Sequence, residues 1–134
     1  MKIKNILLFL IIYLWLFNQS FADLLFSEIF PNTVDDTNME YIELYNSWNQ
    51  VESLEWFILK DKSWKEFVFW ADDNIAWWEY KRFIRNYIKI ILNNSDEELY
   101  LNDVNWSLID SFSYSTTVKW EVINILNNDS KITI

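Results

Sequence analysis

Short apolar runs alternate with clusters of Asn, Asp and Ser along most of the chain. The runs are rich in Ile, Phe, Tyr, Leu and Val and recur at spacings near ten residues, a pattern typical of antiparallel strands. Ile42 and Leu44 alternate with Tyr41, Glu43 and Tyr45, which places the two aliphatic side chains on one face of a strand. The pattern therefore predicts an all-β protein, built as an antiparallel sandwich or barrel over residues 24–126.

The alternation gives nine candidate strands: residues 24–30, 40–45, 54–60, 66–69, 80–84, 87–92, 98–103, 108–114 and 121–126. Pro31 follows the first run and would end it, because proline cannot donate to a strand ladder. No stretch has a sustained helical period, although residues 79–92 could form a short helix. We expect one core to contain Ile42, Leu44, Phe57, Leu59, Leu99, Leu101, Ile109 and Phe112.

The N-terminus differs from the rest of the chain. Lys2 and Lys4 precede twelve apolar residues, numbers 6–17, and a small-residue site ends at Ala22. This order predicts a secretory signal helix over residues 1–22, followed by one domain over residues 23–134. The apolar run is shorter than the roughly 18–20 residues that span a bilayer, so an uncleaved membrane anchor is the alternative. We therefore expect an extracellular or cell-surface protein.

Charge and composition exclude several kinds of chemistry. Loss of Lys2 and Lys4 would leave 9 basic against 20 acidic residues, a net charge of −11, which would repel nucleic acid. The chain has no cysteine and no histidine. It therefore lacks disulfides, thiol chemistry, the usual general base and the commonest zinc ligand.

Carboxylates are the remaining candidates for catalysis or metal binding. Glu40, Glu43 and Asp110 could serve a small secreted hydrolase, or an accessory fragment of one, if they converge around a pocket. Acidic runs at residues 35–36, 72–73 and 96–98 could bind Ca²⁺, but none has the spacing of a calcium loop. Solvated or turn-forming carboxylates are the favoured interpretation, and we expect no metal and no cofactor.

Basic residues cluster once, at Lys81, Arg82 and Arg85, between aromatic residues. A small-anion or polysaccharide patch is one interpretation of this cluster. A solvated face of a strand or short helix is the favoured one.

Glycine is absent, whereas tryptophan occurs nine times. Average usage would give about 7% glycine. Trp48, Trp64, Trp77 and Trp106 lie in or beside polar clusters where a β-protein would place turn glycines. One hypothesis is that UGA codons read as glycine in the source organism are written here as tryptophan. It predicts that these four residues lie in loops, largely exposed, with at least one at positive φ. The alternative is a tryptophan-rich carbohydrate or membrane-surface binder.

The order of the motifs resembles the lamin tail domain family. Residues 26–32 and 40–46, FSEIFPN and EYIELYN, are similar to the family's N-E-I-x-x-N and E-W-I-E-L-Y-N segments. Residues 54–61, LEWFILKD, resemble L-x-G-W-x-L-x-D, with Trp56 at the glycine. Residues 92–101 and 105–114 resemble L-N-N-x-G-D-x-x-x-L and x-G-x-x-I-D-x-x-x-Y, with Trp106 at another glycine. Ser27 departs from the pattern, because the family has Asn before this Glu.

The resemblance implies an immunoglobulin-like β-sandwich that serves as a non-catalytic interaction module. Its partner would be another protein or a cell-surface polymer. The family-motif residues, for which a structural role is expected, are Glu28, Glu43, Asn46, Phe57, Asp61, Asn93, Asn94, Asp110 and Tyr114.

Overall fold

The computed structural model describes residues 24–31, 39–119, 121–126 and 132–133. The predicted signal segment, residues 1–22, lies outside the described residues. Strands dominate the described part, which confirms the all-β prediction. They are β1 Leu24–Phe30, β2 Tyr41–Asn46, β3 Glu52–Ser53, β4 Ile58–Lys60, β5 Glu66–Val68, β6 Asn74–Ile75, β7 Tyr80–Ile84, β8 Glu97–Asn102, β9 Leu108–Tyr114, β10 Glu121–Asn124 and β11 Ile132–Thr133. One helical turn, α1, covers Arg85–Ile88.

The strands form two main antiparallel sheets. The five-stranded sheet has the order β11-β10-β1-β2-β7, and the four-stranded sheet has the order β5-β4-β8-β9. Strands β3 and β6 form a separate two-stranded ribbon. Because β1 pairs with both β2 and β10, it joins the beginning of the domain to its last strands.

Both main sheets contribute side chains to one apolar core. Ile42 and Leu44 come from the five-stranded sheet, and Leu59, Leu99 and Leu101 from the four-stranded sheet; all five are fully buried. Burial of each side chain stabilises the fold by roughly 1.5–3 kcal/mol. The predicted core is confirmed for these five and for Phe57. Ile109 and Phe112 pack against the core but are only partly buried.

Two predicted strands are wrong in part. Residues 54–57 form a turn, in which the Phe57 N–H donates to the Leu54 oxygen at 2.8 Å, so the strand begins only at Ile58. Residues 87–92 do not form a strand. α1 ends at Ile88, and its C-cap Lys89 has a left-handed φ of 58° and an N–H bond to the Arg85 oxygen, which stop the chain from extending. The short helix considered for this region is confirmed for residues 85–88.

In the described residues, no helix has the length and apolar character needed to cross a membrane.

Candidate functional site

An arginine lies between two carboxylates on β1, β2 and β7. The register places Glu43 opposite Arg82, and an irregularity between Phe26 and Glu28 brings Glu28 opposite Glu43 as well. The Arg82 Nε donates to Glu43 Oε2 at 2.8 Å, and its Nη2 donates to Glu28 Oε2 at 3.2 Å. We call Ser27, Glu28, Tyr41, Glu43 and Arg82 the Arg82 cluster.

The remaining members of the Arg82 cluster complete its hydrogen bonding. The Ser27 hydroxyl lies 3.0 Å from Glu43 Oε1, and the Tyr41 hydroxyl donates to Glu28 Oε1 at 3.0 Å. The Arg82 guanidinium also lies 4.6 Å from the centre of the Tyr41 ring. Burial, reinforced by the Glu28 carboxylate, raises the pKa of the Tyr41 hydroxyl, so this group remains a donor at neutral pH.

A shallow cavity of about 320 Å³ is lined by the members of the Arg82 cluster other than Tyr41, and also by Tyr80, Asn124 and Leu126. Its charged groups already pair with one another. Because two carboxylates and one guanidinium carry a net charge of −1, this cavity does not provide the positive site that the basic residues suggested. Lys81 and Arg85 are paired as well, Lys81 with Asp73 at 3.6 Å and Arg85 with Glu40 at 3.1 Å.

Glu40 is a buried carboxylate that joins β2 to the segment after α1. Its Oε1 accepts from Arg85, and its Oε2 accepts from the Leu92 N–H at 3.3 Å. The side chain is 4% exposed. Loss of hydration outweighs these two contacts and raises the pKa of Glu40 above its usual range.

The Asn93–Asn94 segment is tied to β8 and to the end of β9. Glu97 is 1% exposed, and its Oε2 accepts from the Asn93 side-chain amide at 2.7 Å. The Tyr114 hydroxyl donates to the Asn93 oxygen at 2.7 Å, and the Thr117 hydroxyl donates to the Asn94 oxygen at 2.7 Å. Burial and the nearby Glu97 carboxylate raise the pKa of Tyr114. These contacts hold the loop from both sides.

Asn46 joins two loops at the end of β2. Its side chain is fully buried, and its Nδ2 donates to the Gln50 oxygen at 2.8 Å and to the Ile75 oxygen at 3.0 Å. Its Oδ1 accepts from the Trp48 N–H at 2.9 Å. Asn46 therefore connects its own loop with the β6 segment.

Two aspartates organise hairpin turns with the same set of contacts. Asp61 Oδ1 accepts from the N–H groups of Ser63 and Lys65, each at 2.9 Å. Asp103 Oδ1 accepts from the N–H groups of Asn105 and Ser107, each at 2.8 Å. The first turn connects β4 with β5 and the second connects β8 with β9.

Asp110 connects the two main sheets. On β9 of the four-stranded sheet, its Oδ2 accepts from the Phe26 N–H of β1 at 2.7 Å. Glu40, Glu43 and Asp110 thus have different partners, and no hydrogen bond links them within the described residues. Of the proposed hydrolase carboxylates, Glu43 lines the cavity over the Arg82 cluster, whereas Glu40 and Asp110 do not.

The residues named for the motif resemblance make hydrogen bonds, through the main-chain oxygen in the case of Asn94, or pack in the core. The polar ones make the contacts given above, and Phe57 packs in the core at 9% exposure. The acidic runs at residues 72–73 and 96–98 are not part of any group of three or more residues that could hold a metal ion within the described chain, and the run at residues 35–36 lies outside the described residues.

Sequence reasoning missed three participants. Arg82 was interpreted as solvated, Ser27 was noted only as a departure, and Glu97 appeared only in an acidic run. The partners of Arg82 and Ser27 are distant in sequence, 54 residues in the Arg82–Glu28 pair and 16 in the Ser27–Glu43 pair, so no local pattern could identify these two. Glu97 also bonds Asn93, which is only four residues away.

The tryptophans predicted to lie in loops do so. Trp64, Trp77 and Trp106 are exposed at 74%, 57% and 61%, and Trp64 and Trp106 have φ of 66°. Trp48 was expected to be largely exposed but is partly buried. Its backbone N–H donates to the side chain of buried Asn46, which holds this loop against the domain.

No protein-family model matches the chain, and no curated protein matches it significantly.

Proposed function

We propose that the chain is an exported, non-catalytic interaction module at the cell surface, with a lamin-tail-like, immunoglobulin-like β-sandwich. Its partner is another protein or a cell-surface polymer. The observation that carries the proposal is the use of the motif side chains: Asn46 and Asp110 hold loops and sheets together, and Glu43, which lines the shallow cavity, is already paired with Arg82.

Three further features support this function. Two antiparallel sheets share one core, as a sandwich requires. The absence of histidine removes the usual general base. The basic n-region and apolar run favour export.

Export is tested with the full chain fused at its C-terminus to a reporter enzyme that is active only outside the cytoplasm. We expect reporter activity and a mature N-terminus at Asp23, determined by mass spectrometry. Leu8→Arg and Leu10→Arg together should abolish both, because they charge the apolar run. Undiminished activity in this double variant would contradict a signal peptide.

Binding is separated from hydrolysis with the protein secreted from the full chain and cell envelopes of the source organism. We expect saturable sedimentation with the envelopes and no released sugars or peptides. Glu43→Gln should leave any product release unchanged relative to Glu79→Gln, a control at an exposed position. Product release that Glu43→Gln abolishes and Glu79→Gln retains would show that the protein is a hydrolase. Absence of saturable binding would contradict the interaction module.

A further inference from the structure

Positive φ is concentrated at tryptophan. Five residues of the described chain have a positive φ, and four of them are tryptophans: Trp56 at 67°, Trp64 at 66°, Trp78 at 59° and Trp106 at 66°. The fifth is Lys89. Glycine adopts this left-handed backbone conformation readily. In other residues the β-carbon crowds the neighbouring carbonyl oxygen, so a bulky residue with positive φ is an outlier.

Trp56 and Trp78 occupy the same position in two similar turns. The Phe57 N–H donates to the Leu54 oxygen at 2.8 Å, and the Glu79 N–H donates to the Ala76 oxygen at 3.2 Å. Each tryptophan is thus the third residue of a four-residue turn, and the second residue does not have positive φ. This is a type II turn, whose third position favours glycine.

Trp64 and Trp106 occupy equivalent positions in the two aspartate-capped hairpins. The Trp64 N–H donates to the Asp61 oxygen at 3.0 Å, and the Trp106 N–H donates to the Asp103 oxygen at 3.0 Å. In the first turn the Asp61 N–H donates to the Lys65 oxygen at 3.1 Å, and in the second the Asp103 N–H donates to the Ser107 oxygen at 2.9 Å. A tight turn followed by one left-handed residue is the common hairpin in which that residue is glycine.

The four side chains have few internal contacts. All are at least 58% exposed, and no indole N–H of the four donates a hydrogen bond to a described residue. Trp64 stacks on Tyr100 at 6.4 Å, and the Lys60 ammonium lies 4.7 Å from the Trp106 ring. A tryptophan selected for packing is usually buried with its N–H bonded.

From this geometry we infer that residues 56, 64, 78 and 106 are glycine in the natural protein. Their codons are UGA, read as glycine in the source organism and as tryptophan in this sequence. The indoles at these four positions are then no ligand-binding surface, so the aromatic carbohydrate-binding alternative would depend on Trp70 and Trp77, which are exposed at 64% and 57%. The inference is independent of the proposed function, because it depends only on backbone geometry.

The coding DNA gives the first test. We expect UGA at all four codons and glycine at all four positions in peptides of the protein purified from its source organism. UGG at these codons, or tryptophan in the peptides, would overturn the inference.

Stability gives a second, physical test. In the chain as written, the combined change Trp56→Gly, Trp64→Gly, Trp78→Gly and Trp106→Gly should raise the Tm, because glycine removes the left-handed strain at each turn. The matched alanine set should raise it less, since alanine keeps the β-carbon while removing the same indoles.

A control that replaces other tryptophans by glycine distinguishes the relief of backbone strain from the loss of the indole side chains. Trp48, Trp70 and Trp77 are loop tryptophans without positive φ, so changing these three to glycine should not raise the Tm by backbone relief. A fall in Tm for the set at positions 56, 64, 78 and 106, or an equal rise with alanine, would contradict the geometric requirement for glycine.

Discussion

Several carboxylates of the described residues are buried. Glu40, Glu43, Glu97 and Glu121 are each at most 9% exposed. Burial of a charge is costly unless it is paired and hydrogen-bonded. Glu43 has Arg82, whereas Glu97 accepts only from N–H groups among the described residues. Glu40 lies between these cases, because its burial outweighs its contact with Arg85.

Glu40 should make stability depend on pH. Its folded-state pKa is raised, so its favourable contribution is fully present below the ordinary glutamate pKa and is lost as pH rises through the folded value. Glu40→Gln is neutral at every pH. We therefore expect the free energy of unfolding of the variant to increase relative to that of the parent as pH rises from about 4 to about 7, measured by urea denaturation.

The raised pKa of Glu40 already includes the attraction of Arg85, which is lost in Glu40→Gln. Because arginine stays charged throughout this range, the change of the difference with pH reports the titration of Glu40. Glu79→Gln, at an exposed position, is the control and should give a flat difference. A Glu40→Gln difference that decreases as pH rises would mean that Arg85 and the Leu92 N–H outweigh burial.

At the scale of elements, the two aspartate-capped turns satisfy their backbone N–H groups in the same way. A hairpin turn leaves N–H groups that no strand satisfies, and one carboxylate oxygen accepts two of them at Asp61 and again at Asp103. Unpaired donors in a partly buried turn cost free energy, so the aspartates stabilise the connections of β4 with β5 and of β8 with β9.

Asp103→Ala should lower the free energy of unfolding by about 1–3 kcal/mol, because the Asn105 and Ser107 N–H groups lose their acceptor. Asp103→Asn retains an oxygen at the same place and should lose less. Urea denaturation measures both losses of unfolding free energy, provided that the m-value is unchanged. If alanine and asparagine were equally tolerated, the cap would not contribute to stability.

Local patterns predicted the elements that depend on local alternation. The bounds of β1, β7 and β9 agree with the expected residues 24–30, 80–84 and 108–114. Residues 54–57 and 87–92 read as strands because they are apolar, but Trp56 and Lys89 adopt left-handed conformations that turn the chain. Apolar content alone does not reveal such a turn when glycine is missing from the sequence.

The Arg82 cluster could not be predicted because it depends on register. Glu43 and Arg82 meet only because β2 pairs with β7, and Glu28 joins them because of the irregularity in β1. A single sequence shows which residues share a strand face, but it does not show which strands are neighbours. For Asn46 and Asn93–Asn94 the motif resemblance implied only a structural role, and their distant partners depend on how the strands are arranged.

At the scale of the whole molecule, defined contacts join the two main sheets. The chain also carries an excess of negative charge. The Phe26–Asp110 hydrogen bond and the shared core hold the two sheets together. The full chain has 20 acidic and 11 basic residues, a net charge of −9. Such an excess favours solubility but destabilises a compact state through self-repulsion. The ion pairs at exposed positions offset little of this, because surface pairs contribute about 0–1 kcal/mol each.

Added salt should therefore stabilise the domain. Raising NaCl from about 0.01 M to about 0.15 M shortens the screening length from about 30 Å to about 8 Å, which weakens long-range repulsion more than the short ion pairs. A gain of about 1 kcal/mol would raise the Tm by roughly 4 °C for a domain of this size. The variant with Asp72→Lys and Glu79→Lys, both at exposed positions, has a smaller negative charge and should respond less. A Tm that falls with salt, or an equal response in the variant, would show that local ion pairs outweigh the net charge.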